Sequence, residues 1–216
     1  MEQLNKYIDQ TILRPDATVQ DIQDFLKGVI EYRFCAAVVN PCWVPLVGAE
    51  LPDGVRLCSV VGFPLGASST KAKVYAAGDL IEEGCQEIDM VMNIGMFKQK
   101  AFKDVGGEIG AVARACQGRI LKVIIETCFL ETDEKATAAK LVQDSGAQFV
   151  KTSTGFATEG AKPDDVRLLR ATVGRDFGVK ASGGIRTYKQ AVEFINAGAN
   201  RLGTSSGVQI MRESAE

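Results

Sequence analysis

A chain of 216 residues with 46% hydrophobic and 24% charged side chains can bury one sizeable core, and its length suits one α/β barrel or one doubly wound domain. Its net charge of -2 and pI near 5.4 leave no global basic field to hold nucleic acid or an anionic membrane surface. Histidine is absent, which excludes Ser-His-Asp and Cys-His nucleophiles and histidine-ligated metals, so proton transfer falls to carboxylates, lysines, tyrosines or water.

The elements follow in chain order. Met1–Arg14 carries Glu2 and Asp9 and no long apolar run, so it does not read as a signal peptide. Within it, Tyr7-Ile8 leads into Thr11-Ile12-Leu13, the first strand. Asp16-Ala17-Thr18 opens a helix over Val19–Tyr32. Cys35–Val39 and Leu57–Val61 read as the next two strands. Thr70 opens a helix ending near Glu83-Gly84, before a strand over Glu87–Met92. Lys98, Lys100 and Lys103 read as one solvated helix face. Ile120–Ile125 is the fifth strand. Asp133-Glu134 opens a helix that stops at Ser145-Gly146, ahead of Gln148–Lys151. Pro163-Asp164-Asp165 starts the next helix, and Gly178–Ala181 is the following strand. Thr187 opens a helix closing at Ala197-Gly198, and Arg201–Gly203 is the eighth strand.

The inward candidates on these strands are Asp9, Val38, Val60, Asp89, Lys122, Lys151, Lys180 and Gly203, spaced by 29, 22, 29, 33, 29, 29 and 23 residues. One βα unit fits each interval, and eight strands alternating with helices predict a (β/α)8 TIM barrel in a single domain over 1–216. The competing open sheet calls for a G-x-G-x-x-G turn after an early strand, and none is present. No 18-residue apolar run appears, so no membrane span is expected and a cytoplasmic location is. The six cysteines form no C-x-x-C pair; Cys35, Cys58 and Cys128, in or beside apolar runs, are expected to be buried and reduced.

A barrel places its chemistry at the C-terminal ends of strands. Asp89, Lys151 and Lys180 are charged residues inside otherwise apolar strand runs, where a charge is costly unless partnered. Lys151 and Lys180 hold equivalent places on consecutive strands, about 4.8 Å apart. Two ammonium groups that close repel by about 3 kcal/mol, which would bring one toward the neutral, nucleophilic amine of a Schiff-base enzyme. The alternative at this stage is that both lysines snorkel to solvent or pair with acids. Lys122 and Glu126 share a strand face and are expected to pair with each other or with a site lysine. Two loops rich in glycine and hydroxyls, Ser182–Thr187 and Leu202–Gly207, follow the last two strands, where barrels often hold phosphate. Gly183, Gly184, Arg186, Gly203, Ser205 and Ser206 are their candidate anion contacts. Asn40 and Asn93 end strands and, with Asp9, are candidates to line the pocket.

Five segments in this order carry a resemblance: Val61-Gly62-Phe63-Pro64-Leu65-Gly66, Glu87-Ile88-Asp89-Met90-Val91, Lys122-Val123-Ile124-Ile125-Glu126-Thr127, Val150-Lys151-Thr152-Ser153-Thr154-Gly155-Phe156, and Val179-Lys180-Ala181-Ser182-Gly183-Gly184-Ile185-Arg186. From Ile8 to Gly207 the chain resembles the deoxyribose-phosphate aldolases of the DeoC/FbaB group. The resemblance implies a TIM barrel with an extra N-terminal helical segment, and reversible cleavage of 2-deoxy-D-ribose 5-phosphate to D-glyceraldehyde 3-phosphate and acetaldehyde. It implies Lys151 as the imine-forming lysine, Lys180 as the lysine that lowers its pKa, and Asp89 as a proton-handling carboxylate acting through water. Thr152 and Gly155 join the two loops in the implied phosphate site. It implies no metal or cofactor, a small sugar phosphate and an aldehyde as partners, and a homodimer as a common assembly. Two residues depart from the family pattern: Gln10 stands where His is common after the first-strand Asp, and Val38 where many relatives carry Cys. Gln10 can hydrogen-bond but not titrate, and the loss of a cysteine at Val38 is expected to reduce inactivation by reactive aldehydes. Other Schiff-base sugar-phosphate aldolases and a non-catalytic sugar-phosphate-binding barrel are the competing readings.

Overall fold

Eight parallel strands close on themselves in sequence order in the computed structural model, which describes residues 3–215. They are β1 (Ile8–Ile12), β2 (Ala36–Val39), β3 (Arg56–Val61), β4 (Glu87–Val91), β5 (Ile120–Ile124), β6 (Phe149–Lys151), β7 (Gly178–Ser182) and β8 (Arg201–Thr204). β8 pairs back to β1, with Asp9 opposite Gly203. The helices are α1 (Val19–Tyr32), α2 (Val44–Gly48), α3 (Thr70–Glu82), α4 (Ile94–Lys98), α5 (Phe102–Ala115), α6 (Thr132–Asp144), α7 (Pro163–Val173), α8 (Tyr188–Asn196) and α9 (Gly207–Glu213). The expected N-terminal helical segment is one 3-10 turn, Leu4–Tyr7. None of the helices among the described residues is long and apolar enough to cross a membrane.

Local chemistry sets the helix ends as the sequence suggests. Thr18 caps α1 by accepting from the Asp21 N–H while Asp21 accepts from the Thr18 N–H, a reciprocal box. Thr187 and Gln190 do the same for α8. Four helices lack strong sequence signals: α2 and α4 span five residues each, α5 starts without a side-chain cap, and α9 follows β8 after only Ser205 and Ser206. The three-lysine run is not one helix face. Lys98 ends α4 and bonds Glu134 at 2.6 Å, Lys100 sits in the left-handed turn between helices, and Lys103 belongs to α5.

The main apolar core lies between the barrel and its helices, where outward strand residues such as Ile88, Met90, Val123, Val150 and Val179 meet Leu80, Ile109, Val142 and Leu169. A separate cluster of Leu13, Ala36, Val38, Cys58 and Val60 fills one side of the interior. The other side is charged, and the site lies there. Gly178 leaves room for the Phe149 ring: a Cβ on it would lie 2.2 Å from the Phe149 Cδ1.

The cysteine expectation holds for Cys58 but not for Cys35 and Cys128, which are half-buried; Cys85 and Cys116 are the buried ones the strand pattern missed. Cys116 follows the last turn of α5 and Cys85 leads into β4, so both face the layer between helices and barrel.

Candidate active site

Lys151 ends β6 and pairs in register with Lys180 on β7. Between their amines stands Asp89 of β4. Its Oδ2 accepts from Lys151 Nζ at 2.7 Å and from Lys180 Nζ at 2.7 Å. The lysines therefore do both things the sequence left open: they lie close together, and they share one acid. They do not snorkel, since Lys151 is 3% exposed and Lys180 is 0% exposed.

Asp89 belongs to a closed circuit of alternating charge inside the barrel. Its Oδ1 accepts from Lys122 Nζ at 2.9 Å, and Lys122 contacts Glu87 Oε2 at 2.5 Å. Glu87 accepts from Arg201 at 2.9 Å and 3.2 Å. Arg201 Nε donates to Asp9 Oδ1 at 2.6 Å, and Asp9 Oδ2 lies 2.6 Å from Lys180 Nζ, which closes on Asp89. All six members are buried. Arg201 also lies over the Phe149 ring, 6.0 Å from its centroid. The expected partnership of Lys122 with Glu126 is not formed. Glu126 follows β5 in a left-handed conformation (φ 51°) that turns its carboxylate to Thr154, where it accepts from the N–H at 3.2 Å and the hydroxyl at 2.5 Å.

The two lysines are pushed in opposite directions. Burial pulls the Lys151 amine below the ordinary lysine range, and the Lys180 charge adds to that pull against the opposing attraction of Asp89. Burial also works against the Lys180 ammonium, but Asp89 and Asp9 outweigh it and hold its pKa above the ordinary value. Burial would raise the Asp89 carboxyl, yet Lys122, Lys151 and Lys180 together hold it well below the usual carboxylate range. Asp9 is likewise brought to about 2, burial being outweighed by Arg201 and Lys180. Lys151 is thus the amine in this cluster most easily freed of its proton.

Above Lys151 opens a cavity of about 500 Å³. Gly155, Gly183, Gly184, Arg186, Gly203 and Ser205 line it, as the sequence suggests. A Cβ on Gly203 would lie 2.9 Å from Ser182 Cβ and 3.1 Å from Lys180 Cε, so a side chain there would push both neighbours aside. The other candidates are placed elsewhere. Thr152 is wholly buried and donates to the Ser182 carbonyl. Ser206 precedes α9, its N–H bonded to the Thr204 hydroxyl. Asn40 donates to the Leu13 carbonyl, and Asn93 caps α4; neither lines the cavity. Asp9 lies beneath it in the circuit. The polar tips of Thr152, Asn40 and Asn93 are spent on neighbouring backbone, a use that strand-end position alone cannot reveal.

Gln10, Arg14, Thr154 and Phe156 also line the cavity and were not picked out as pocket residues. Gln10 joins β1 to the loop after β8, donating to the Ser205 carbonyl and accepting from the Gly207 N–H at 2.9 Å. Amide chemistry there holds a loop in place, which a titrating group is not needed to do. Glu87 and Arg201 were missed although the signal existed: both are charges at inward positions two residues before Asp89 and Gly203. Val38 lies in the apolar part of the interior beside Cys58, its register partner on β3. The Cys58 thiol sits 3.5 Å from Asp89 Oδ1, and burial raises its pKa well above the ordinary value, so a cysteine remains near the circuit in its unreactive thiol form.

The model of the DeoC/LacD family aldolases matches residues 4–214. The chain belongs to that family. It is 48% identical over 214 residues to the deoxyribose-phosphate aldolase of Clostridium tetani strain Massachusetts / E88, covering 98% of this chain and 99% of that one. Among solved structures, an aldolase designated QR15 superposes with a TM-score of 0.96 at 38% identity, covering 100% of this chain and 97% of its own. The tetrameric deoxyribose phosphate aldolase of Aeropyrum pernix gives a TM-score of 0.91 at 33% identity over 99% of this chain and 91% of its own. This DeoC/LacD aldolase therefore carries the two lysines and Asp89 within a barrel shared along its whole described length with its family.

Proposed function

We propose that this DeoC/LacD aldolase cleaves 2-deoxy-D-ribose 5-phosphate reversibly to D-glyceraldehyde 3-phosphate and acetaldehyde, through an imine on Lys151. The observation that carries this reading is the buried Lys151 amine, lowered in pKa, at the floor of a glycine-lipped cavity and 2.7 Å from Asp89. The family match and the deoxyribose-phosphate aldolase named among its relatives support the particular sugar.

The neutral amine attacks C1 of the open-chain aldehyde, and the carbinolamine loses water to give an iminium. Lys180, kept charged by Asp89 and Asp9, is an acid within reach for that dehydration. Deprotonation of the C3 hydroxyl then breaks the C2–C3 bond, because the released acetaldehyde holds carbons 1 and 2. The bonding pair moves into the iminium and forms an enamine, and glyceraldehyde 3-phosphate leaves. Protonation at C2 and hydrolysis return acetaldehyde and the free amine. The protonated imine is the electron sink, so neither metal nor organic cofactor is needed. The loops around Gly183, Gly184 and Gly203 with Arg186 hold the 5-phosphate in this reading, which fits a deoxyribose phosphate catabolic enzyme of the cytoplasm acting as a homo-oligomer.

Acetaldehyde with borohydride is expected to leave a two-carbon adduct on Lys151, read by mass spectrometry of peptides. An adduct elsewhere, or none, would sink the imine on Lys151. In a donor panel acetaldehyde is expected to be used and dihydroxyacetone phosphate refused; the reverse would point to a different Schiff-base aldolase.

A further inference from the structure

Seven charged side chains face one another in the barrel interior: Lys122, Lys151, Lys180 and Arg201 against Asp9, Glu87 and Asp89. Six of them form the closed circuit, three cations and three carboxylates in strict alternation. The seventh is Lys151, attached to the circuit only through Asp89. With Lys151 neutral the interior is charge-balanced; with Lys151 protonated it carries one excess positive charge in a water-poor space, where that excess is costly.

We propose that Glu87 and Arg201, which lie at the lower end of the barrel and do not line the cavity, are positioning residues that set the protonation of Lys151 in opposite senses: Arg201 disfavours its ammonium, and Glu87 offsets Arg201 so that the circuit stays balanced. The inference rests on the reading of Lys151 as the nucleophile. Geometry supplies the reach. Arg201 and Glu87 each bridge two members: Arg201 binds Asp9 and Glu87, and Glu87 binds Arg201 and Lys122. Removing either leaves an unmatched charge among buried groups. Arg201 stacks near Phe149, two residues before Lys151 on the same face of β6, so the two cations are about 10 Å apart. At that separation, with an effective dielectric of about 20, one unit charge moves a lysine by about one pH unit.

The groups facing Lys151 are few. Asp89 contacts it from β4, Lys180 repels it from β7, Cys58 faces it from β3 as a thiol, and Glu126 at the end of β5 is held by Thr154. Arg56 also touches Glu87, at 3.1 Å, but its side chain is 48% exposed, so water screens its charge. The lowered Lys151 and raised Lys180 agree with Lys151 being the cation that the balanced circuit holds least.

Opposite signs make the test. Arg201→Met removes a cation, leaves the interior negative, and is expected to raise the Lys151 pKa. The acid limb of the pH–rate profile for cleavage of 2-deoxy-D-ribose 5-phosphate should move up by about one unit. Glu87→Gln removes a carboxylate and should move that limb down by a similar amount. The Glu87→Gln/Arg201→Met double variant restores the count and should return the limb toward its wild-type position. Cyanoborohydride trapping of acetaldehyde on Lys151, followed by mass spectrometry across pH, should show the same three displacements without involving the phosphate. Generalised structural damage would lower rates without such signs. Shifts of equal sign in the single variants, or none in variants that fold, would overturn the proposal. If a single variant fails to fold, Arg201→Lys and the double variant are decisive: both keep the balance and must keep the wild-type limb, and a one-unit displacement in either overturns it. Wild-type trapping on Lys151 is independent of these results, so failure of the imine reading and failure of the charge-balance inference are told apart.

Discussion

Replacing Lys180 by leucine tests the electrostatics of the site most directly. Both lysine nitrogens lie 2.7 Å from one oxygen of Asp89, so they can be no more than twice that distance apart. At about 5 Å and an effective dielectric of about 20, two ammonium charges repel by about 3 kcal/mol, roughly two pKa units. Without Lys180 the Lys151 ammonium escapes that repulsion and no longer shares Asp89 Oδ2, so its pKa should rise by roughly two units. Below the wild-type pKa of Lys151 the neutral fraction, and with it the rate of imine formation, should fall on the order of 100-fold. Asp9 and Asp89 each lose a buried partner as well, which typically costs about 3–5 kcal/mol, so thermal melting must first show that Lys180→Leu folds. The assay is cleavage of 2-deoxy-D-ribose 5-phosphate from pH 5 to 10, with acetaldehyde trapping on Lys151 over the same range. A folded Lys180→Leu protein with undiminished turnover and an unmoved acid limb would refute the coupled-lysine account.

Lys151→Leu should abolish cleavage and trapping yet leave the melting temperature nearly unchanged, because the circuit is balanced without it; a large destabilisation would argue that Lys151 is charged in the fold. Gly183→Ala forces a left-handed residue (φ 89°) to carry a Cβ 2.8 Å from Gly160 Cα. The KM for the 5-phosphate should rise several-fold while acetaldehyde trapping on Lys151 stays intact, and equal losses in both would count against a phosphate role for that loop. Gly178→Ala drives a methyl into the Phe149 ring and should cost about 1–3 kcal/mol, read as a lowered melting temperature; an unchanged melt would show that the ring can move aside. Asp9, Glu87 and Asp89 have folded pKa values below their unfolded ones. Their contribution to stability is therefore complete above about pH 5 and is lost progressively as the pH falls through the depressed values, Asp9 near 2. Melting temperature should drop between pH 4 and 2, and a flat profile there would contradict the pairing.

Local residues were enough to announce most of the architecture. Val- and Ile-rich runs recurring at about the length of one βα unit, with Thr18 and Thr187 as caps and Gly198 as a stop, predict alternating strands and helices because those signals act over a few residues. Asp89, Lys151 and Lys180 stood out because each is a charge in an apolar strand, and the equal spacing of the lysines anticipated their pairing in register. Tertiary structure decided what those charges meet. Asp89 reaches Lys151 and Lys180 across 62 and 91 residues, and Arg201 reaches Asp9 across 192. No periodicity encodes such contacts: they arise only when β8 closes on β1 and all inward side chains must share one buried interior. For the same reason Lys122 turns to Glu87 and Asp89 rather than to Glu126 on its own strand face. The sequence alone therefore revealed five of the seven charges inside the barrel, without Glu87 and Arg201, and closure of the barrel decided which partners each of them meets.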